Sequence, residues 1–170
     1  MNQVGVGSAD ALQRLWTPYR MDYIRANGEE QGCPFCTIPA KGADGLVVTQ
    51  GTHAYVVLNL HPYNPGHLMV VPLRHVAGLE ELTDAESSEV TALTQQAIRT
   101  IRAVSQPHAF NVGLNLGGAA GGSLADHLHQ HVVPRWTGDA NFVTVVGGTK
   151  TIPQLLRDTR DLLAEAWADA

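Results

Sequence analysis

His127-Leu128-His129-Gln130-His131-Val132-Val133-Pro134-Arg135 sets three imidazoles at every second position and then runs into a β-branched pair. On an extended strand alternate side chains share a face, so the three rings project together, with neighbours about 6.6 Å apart. Imidazole is neutral and protonatable near neutral pH, and a row of imidazoles can attack, donate protons or bind metal. One such histidine would read as a satisfied polar residue of a half-buried strand. Three in strict alternation read as a chemical surface.

Immediately upstream lies Gly117-Gly118-Ala119-Ala120-Gly121-Gly122-Ser123, too small to pack a core. Glycines let the backbone approach a ligand and expose consecutive N–H groups, which is how uncharged chain binds phosphate, and Ser123 adds a hydroxyl. A flexible surface turn has the same composition. Placed just before three same-face histidines, the loop becomes a candidate oxyanion cradle for imidazole attack on phosphorus. The only two cysteines stand together as Cys33-Pro34-Phe35-Cys36. In a reducing compartment that spacing points to metal ligation or redox chemistry before a structural disulfide.

Working outward, three segments read as strands: Gly45 to Thr49, Ala54 to Leu60 and His67 to Pro72, each bounded by Gly, Pro or Asn. Pro62, Asn64, Pro65 and Gly66 mark a turn between the last two. Thr83-Asp84-Ala85-Glu86 has the form of a capped helix start, followed at helical spacing by Val90, Leu93, Ala97, Ile98 and Ile101. This main helix should end near Ser105, before Pro107. Ala109 to Leu116 reads as a fourth strand with Phe110, Val112, Leu114 and Leu116 on one face, and the histidine segment as a fifth. A C-terminal helix is expected from about Pro153, with Leu155, Leu156, Thr159, Leu162, Leu163 and Ala166 facing inward. The order of elements indicates an α+β domain with an antiparallel sheet.

A chain of 170 residues with 44% hydrophobic content suits one well-buried core. The expected organisation is a flexible segment over residues 1–13, containing Gly5, Gly7 and Ser8, and a single domain over 14–170. Leu15 to Ile24 concentrates aromatic residues and should begin a short helix, with Thr17 as cap and Pro18 at its first position. A net charge of -5 argues against a nucleic-acid surface, so an anionic ligand would have to be held locally. No run approaches the roughly 20 apolar residues of a membrane span, and no basic region with an apolar signal core opens the chain. The expectation is a cytoplasmic protein with neither membrane nor nucleic-acid partners.

Asn59, the Pro65-Gly66-His67-Leu68-Met69-Val70-Val71-Pro72 run, His75, the glycine loop and the His127-x-His129-x-His131-Val-Val-Pro-Arg135 signature together resemble the histidine triad (HIT) family of nucleotide hydrolases and transferases. The resemblance spans roughly residues 33 to 136. It implies a HIT-like fold, with a five-stranded antiparallel sheet, a main helix and a C-terminal helix, usually paired across a dimer. By the same resemblance His129 would be the nucleophile and form a nucleotidyl-histidine intermediate, while His131 would bond the transferred phosphate. Asn59 would hold the ribose. Phe35, Ile38, Leu58 and Leu60 would line the base pocket, although composition alone marks each as a core residue. Zinc-bearing branches use positions matching Cys33, Cys36, His75 and His127, a Cys2His2 set suited to structural zinc; the alternative is a metal-free CxxC turn. His67 would support the triad through a hydrogen bond or serve its own strand.

Ser123 stands where many family hydrolases carry Gln, and Gln130 and Trp136 also depart from their pattern. These features, with the Leu-Trp-Thr-Pro-Tyr-Arg and Gly147-Gly148-Thr149-Lys150 segments, resemble an actinobacterial branch that acts on diadenosine tetraphosphate. The implied reaction is nucleotidyl transfer to inorganic phosphate, giving ADP and ATP. The alternative is a HIT-type dinucleoside polyphosphate or phosphoramidate hydrolase, and a third reading is a non-catalytic nucleotide-binding module. Asn115, Gly122, Ser123 and Trp136 are the expected phosphate and nucleotide contacts, and Lys150 a weaker one. A homodimer is expected, extended to a homotetramer if the aromatic N-terminal segment contributes.

Overall fold

A computed structural model describes residues 32–121, 124–140, 142–148 and 151–170. The expected boundary after residue 13, the Thr17-capped helix, Gly122, Ser123 and Lys150 lie outside the described residues. Gly32–Ala170 forms one compact unit.

Helix α1 (Pro34–Lys41) begins with a proline in its first turn, where the missing N–H costs nothing, and Cys33 occupies its cap position. Strands β1 (Val47–Gln50), β2 (Ala54–Leu58) and β3 (Leu68–Pro72) follow. Next come helix α2 (Asp84–Ser105), strands β4 (Ala109–Leu114) and β5 (Gln130–Arg135), and helices α3 (Phe142–Gly147) and α4 (Leu156–Trp167). The five strands form one sheet in the order β1-β2-β3-β5-β4 with every pair antiparallel. The α+β class and five-stranded antiparallel sheet match the sequence reading.

Alternation along the strands divides the core. Ala54, Val56, Leu58, Leu68, Val70 and Val132 pack against Val90, Ala97 and Ile101 of α2 and Leu163 and Trp167 of α4. The opposite face carries Val47, Tyr55, Val57, Met69 and Val71, with Phe35 of α1 packed on them. Helix α2 starts as expected: the Thr83 hydroxyl accepts from the Glu86 amide, and the Glu86 carboxylate accepts from the Thr83 amide.

Three expectations need correcting. Strand β5 begins at Gln130, so His127 to His129 precede it and the histidines do not form one flat strand row. The apolar face of β4 is not a core face: Val112 is 46% exposed, and Leu116 lies beyond the strand at 47%. This strand is the sheet's edge, and Phe110 is its one residue packed against the helix-side core. The C-terminal helix starts at Leu156, leaving Leu155 exposed before it and Leu162 half-exposed. It buries the narrower stripe Thr159, Leu163 and Trp167, because one helix lying across the sheet touches it along a single i, i+4 line.

Candidate functional site

The register of β3 on β5 pairs Met69 with His131, and that of β4 on β5 pairs Gly113 with His131, which sets His131 on the sheet face away from α2. Its neighbour Gln130 points the other way and donates to the Thr94 hydroxyl of α2 at 2.7 Å. Gly66, with φ of 74°, turns the chain into β3 and delivers the buried His67 beside the triad. His67 Nδ1 accepts from the Tyr63 amide at 3.1 Å and faces Asn59 Nδ2 at 3.3 Å. An amide can only donate, so the His67 proton sits on Nε2 and is donated to His131 Nδ1 at 2.9 Å. Neutral His131 then carries its own proton on Nε2. Burial, and behind it the neighbouring His131 and His129, push His67 down to about 3, so His67 is uncharged at neutral pH.

The other two histidines are oriented by carbonyls. His129 Nδ1–H donates to the His127 carbonyl at 2.8 Å, leaving the lone pair on Nε2. Burial holds its pKa below the ordinary histidine value, which keeps that lone pair available. His127 Nε2–H donates to the Pro72 carbonyl at 2.9 Å, leaving Nδ1 to face Cys33 Sγ at 3.3 Å and Cys36 Sγ at 3.6 Å. The His129 and His131 rings meet edge-on, with centroids 5.0 Å apart.

Cys33, Cys36, His75 and His127 bring one ligand atom each to within 4.8 Å of one another. Cys36 Sγ lies 3.3 Å from His75 Nδ1. With Zn–S near 2.3 Å and Zn–N near 2.0–2.1 Å, a tetrahedral ion requires S···N separations of about 3.5 Å. The donor set and its spacing fit such an ion. The same helical turn carries Phe35, whose ring centroid stands 5.6 Å from that of His127 and 5.0 Å from that of His129. The buried Tyr55 hydroxyl donates to the Phe35 carbonyl at 2.8 Å and ties this turn to β2. Next to His75, Arg74 donates twice to Glu86, at 2.8 and 2.7 Å, joining the segment after β3 to the start of α2.

Beside His131 opens a cavity of about 390 Å³ whose walls include Tyr63, Asn64, Asn111, Asn115, His131 and Arg135 together with apolar residues of β4 and β5.

The HIT domain matches residues 41–138, more than half of the chain. The chain belongs to the HIT family. A relative from Mycobacterium tuberculosis named AP-4-A phosphorylase is 62% identical over 173 residues, spanning 96% of this chain and 89% of its own length. Among solved HIT structures, a zinc-bound histidine triad family protein from Mycobacterium smegmatis superposes with a TM-score of 0.65 at 26% identity. It covers 81% of this chain and 94% of its own. A histidine triad nucleotide-binding protein from Sulfolobus tokodaii gives 0.67 at 22% identity over 81% and 93% of the two chains, a likeness of fold.

Within this HIT site the structure gathers Phe35, His67, His127, His129 and His131 around one centre. Asn115 lies on the cavity wall next to His131. Asn59 closes its own turn, accepting from the His61 amide at 2.9 Å besides facing His67. Leu58 belongs to the helix-side core, on the sheet face opposite Phe35, because it alternates with Val57, and Leu60 is exposed. Trp136 sits beyond β5 with its indole N–H donated to the Ser105 carbonyl at 3.2 Å. The sequence reading missed Tyr63, Asn64, Asn111 and Arg135. The Pro-rich turn and the Pro134-Arg135 pair were visible signals, but both read as punctuation until folding set them beside His131.

Proposed function

We infer that this HIT protein is a nucleotidyltransferase that cleaves diadenosine tetraphosphate with inorganic phosphate, yielding ATP and ADP. The observation that carries this reading is 62% identity to AP-4-A phosphorylase across 96% of the chain. The chemistry of the site supports it, because the middle histidine is held with its Nε2 lone pair uncommitted to the backbone.

His129 is the nucleophile. Its Nε2 forms a bond to the α-phosphorus as the bond from that phosphorus to the bridging oxygen breaks, and ATP departs with the bonding electrons. The His127 carbonyl, accepting from Nδ1, offsets the positive charge that develops on the ring. The Nε2–H of His131 supplies a hydrogen bond to the bridging oxygen or the transferred phosphate. In the second step an oxygen of inorganic phosphate attacks the same phosphorus, the N–P bond breaks, and ADP leaves with His129 restored. Phe35 walls the base of the transferred nucleotide, with Asn59 near the ribose; Leu58, in the helix-side core, has no part in it. Asn115, Gly122 and Ser123 hold the acceptor phosphate, whereas Trp136 follows Arg135 at the opposite, Ala109 end of the β4–β5 pair and stands apart from them.

Cys33, Cys36, His75 and His127 hold zinc, which supplies structural cross-linking of α1 to the β3 exit and the triad. Cys33 and Cys36 are not joined in a disulfide, which suits a reducing, cytoplasmic compartment. Among the described residues no helix is long and apolar enough to cross a membrane. Phe142, Val146 and Leu155 are each more than two-thirds exposed, which favours a homodimer or homotetramer that covers them.

Incubating the protein with diadenosine tetraphosphate tests the reading. ADP plus ATP formed only when phosphate is present supports it, whereas AMP plus ATP without phosphate would overturn it in favour of hydrolysis. His129→Ala should lower turnover by at least about 10³-fold, and undiminished turnover would sink the proposed nucleophile.

A further inference from the structure

Phe35 walls one end of the triad, and a second aromatic ring with no part in the steps above stands at the other. Tyr63 packs over His67, with centroids 4.7 Å apart, and over His131 at 5.8 Å with its plane tilted by 30°. It nevertheless remains 49% exposed. Its backbone is fixed on both sides. The Tyr63 amide donates to His67, and Asn64, buried to 1% exposure, donates to the Pro134 carbonyl at 2.8 Å and to Asp139 at 2.7 Å. An exposed ring on an immobilised backbone is a preorganised stacking surface, since little rotamer freedom is lost when a ligand arrives.

The ring borders the cavity of about 390 Å³, which falls within the range of small-molecule sites. Asn111, Asn115 and Arg135 give that cavity polar walls. The Arg135 guanidinium is steadied by Asp139 at 2.6 Å and donates to Asn111 at 2.8 Å, so the wall is rigid as well as polar.

A dinucleoside substrate has two bases to place. In-line displacement by His129 requires the leaving oxygen opposite the attacking nitrogen, so the departing chain leaves on the side served by His131. The cavity and Tyr63 lie on that side. We propose that this cavity receives the second nucleoside, the one that departs as part of ATP, with its base stacked on the Tyr63 ring. Tyr63 thereby becomes the residue that favours dinucleoside over mononucleoside polyphosphates. The assignment rests on the function proposed above and deepens it.

The test compares full-length wild type, Tyr63→Phe and Tyr63→Leu on diadenosine tetraphosphate and on adenosine 5′-tetraphosphate, which has the same phosphate chain and one nucleoside. Tyr63→Leu should lower kcat/KM for the dinucleotide about tenfold, mainly through KM, within the range measured for base–aromatic stacking. Turnover of adenosine tetraphosphate should stay within about twofold, and Tyr63→Phe should resemble wild type on both. Equal losses on the two substrates would mean that the ring only shields His67 and would overturn the proposal, as would no loss on either. The ratio can be read whichever acceptor takes the nucleotidyl group. Release of AMP without phosphate would therefore defeat the phosphorolytic reading alone, whereas a wild type inactive on both substrates would defeat both.

Discussion

Four imidazoles crowd one side of the sheet, and hydrogen bonds decide which nitrogen of each bears the proton. The donors and acceptors responsible are the Tyr63 amide, the Pro72 carbonyl and the His127 carbonyl, with His67 passing its polarity to His131. None of these partners can be read from a string of residue types. The spacing His127-x-His129-x-His131 was legible as a reactive set, and the resemblance named His129 within it; the reason His129 and not its neighbours has a free Nε2 lies in backbone groups. Burying His67 neutral has a cost at low pH. Its folded pKa of about 3 lies below the unfolded value near 6.5, so the unfolded chain takes up a proton first and stability falls as pH falls through that window. His127 and His129 are shifted in the same direction. Urea unfolding should show a loss of about 2 kcal/mol from His67 between pH 7 and pH 5, above the range where carboxylates titrate. A flat profile there would mean that His67 is not neutral in the folded protein.

Elements were recovered from the sequence where local chemistry and tertiary packing agree. The Thr83–Glu86 capping box announced α2, and Val90, Ala97 and Ile101 do enter the core. Where packing alone decides, the sequence misleads: Val112 and Leu162 have the right periodicity but sit on an edge strand and on a helix flank. Leu58 shows the same effect within a fully buried strand, since five consecutive buried residues hide which face each one takes. Glu86 joins the local and tertiary levels, because the carboxylate that closes the capping box also receives Arg74. The Arg74 hydrogen bond, with the Thr83 amide, holds its pKa down to about 2. Glu86→Ala should cost about 1–2 kcal/mol through the lost cap and clamp. The urea midpoint measures it, and a midpoint equal to wild type would show that the capping box contributes no net stability.

At the scale of the whole molecule, one side-chain cluster joins distant parts of the chain: Cys33 and Cys36 come from the cap and first turn of α1, His75 from beyond β3, and His127 from the approach to β5. Metal analysis of protein purified without chelator should give one zinc per chain. Stripping it should lower the melting temperature by roughly 5–15 °C and raise KM for the nucleotide, because the released turn carries Phe35. A metal-free protein with unchanged melting and KM would remove the zinc assignment. The placement of Phe35 between two candidate metal ligands also bears on how such a chain can change over evolutionary time. The proposed base wall and the candidate metal site share one turn of α1, so on that reading a lineage that loses either cysteine would lose more than an ion. It would inherit an unanchored aromatic ring beside His129, the proposed nucleophile, and would have to rebuild substrate recognition in the same step.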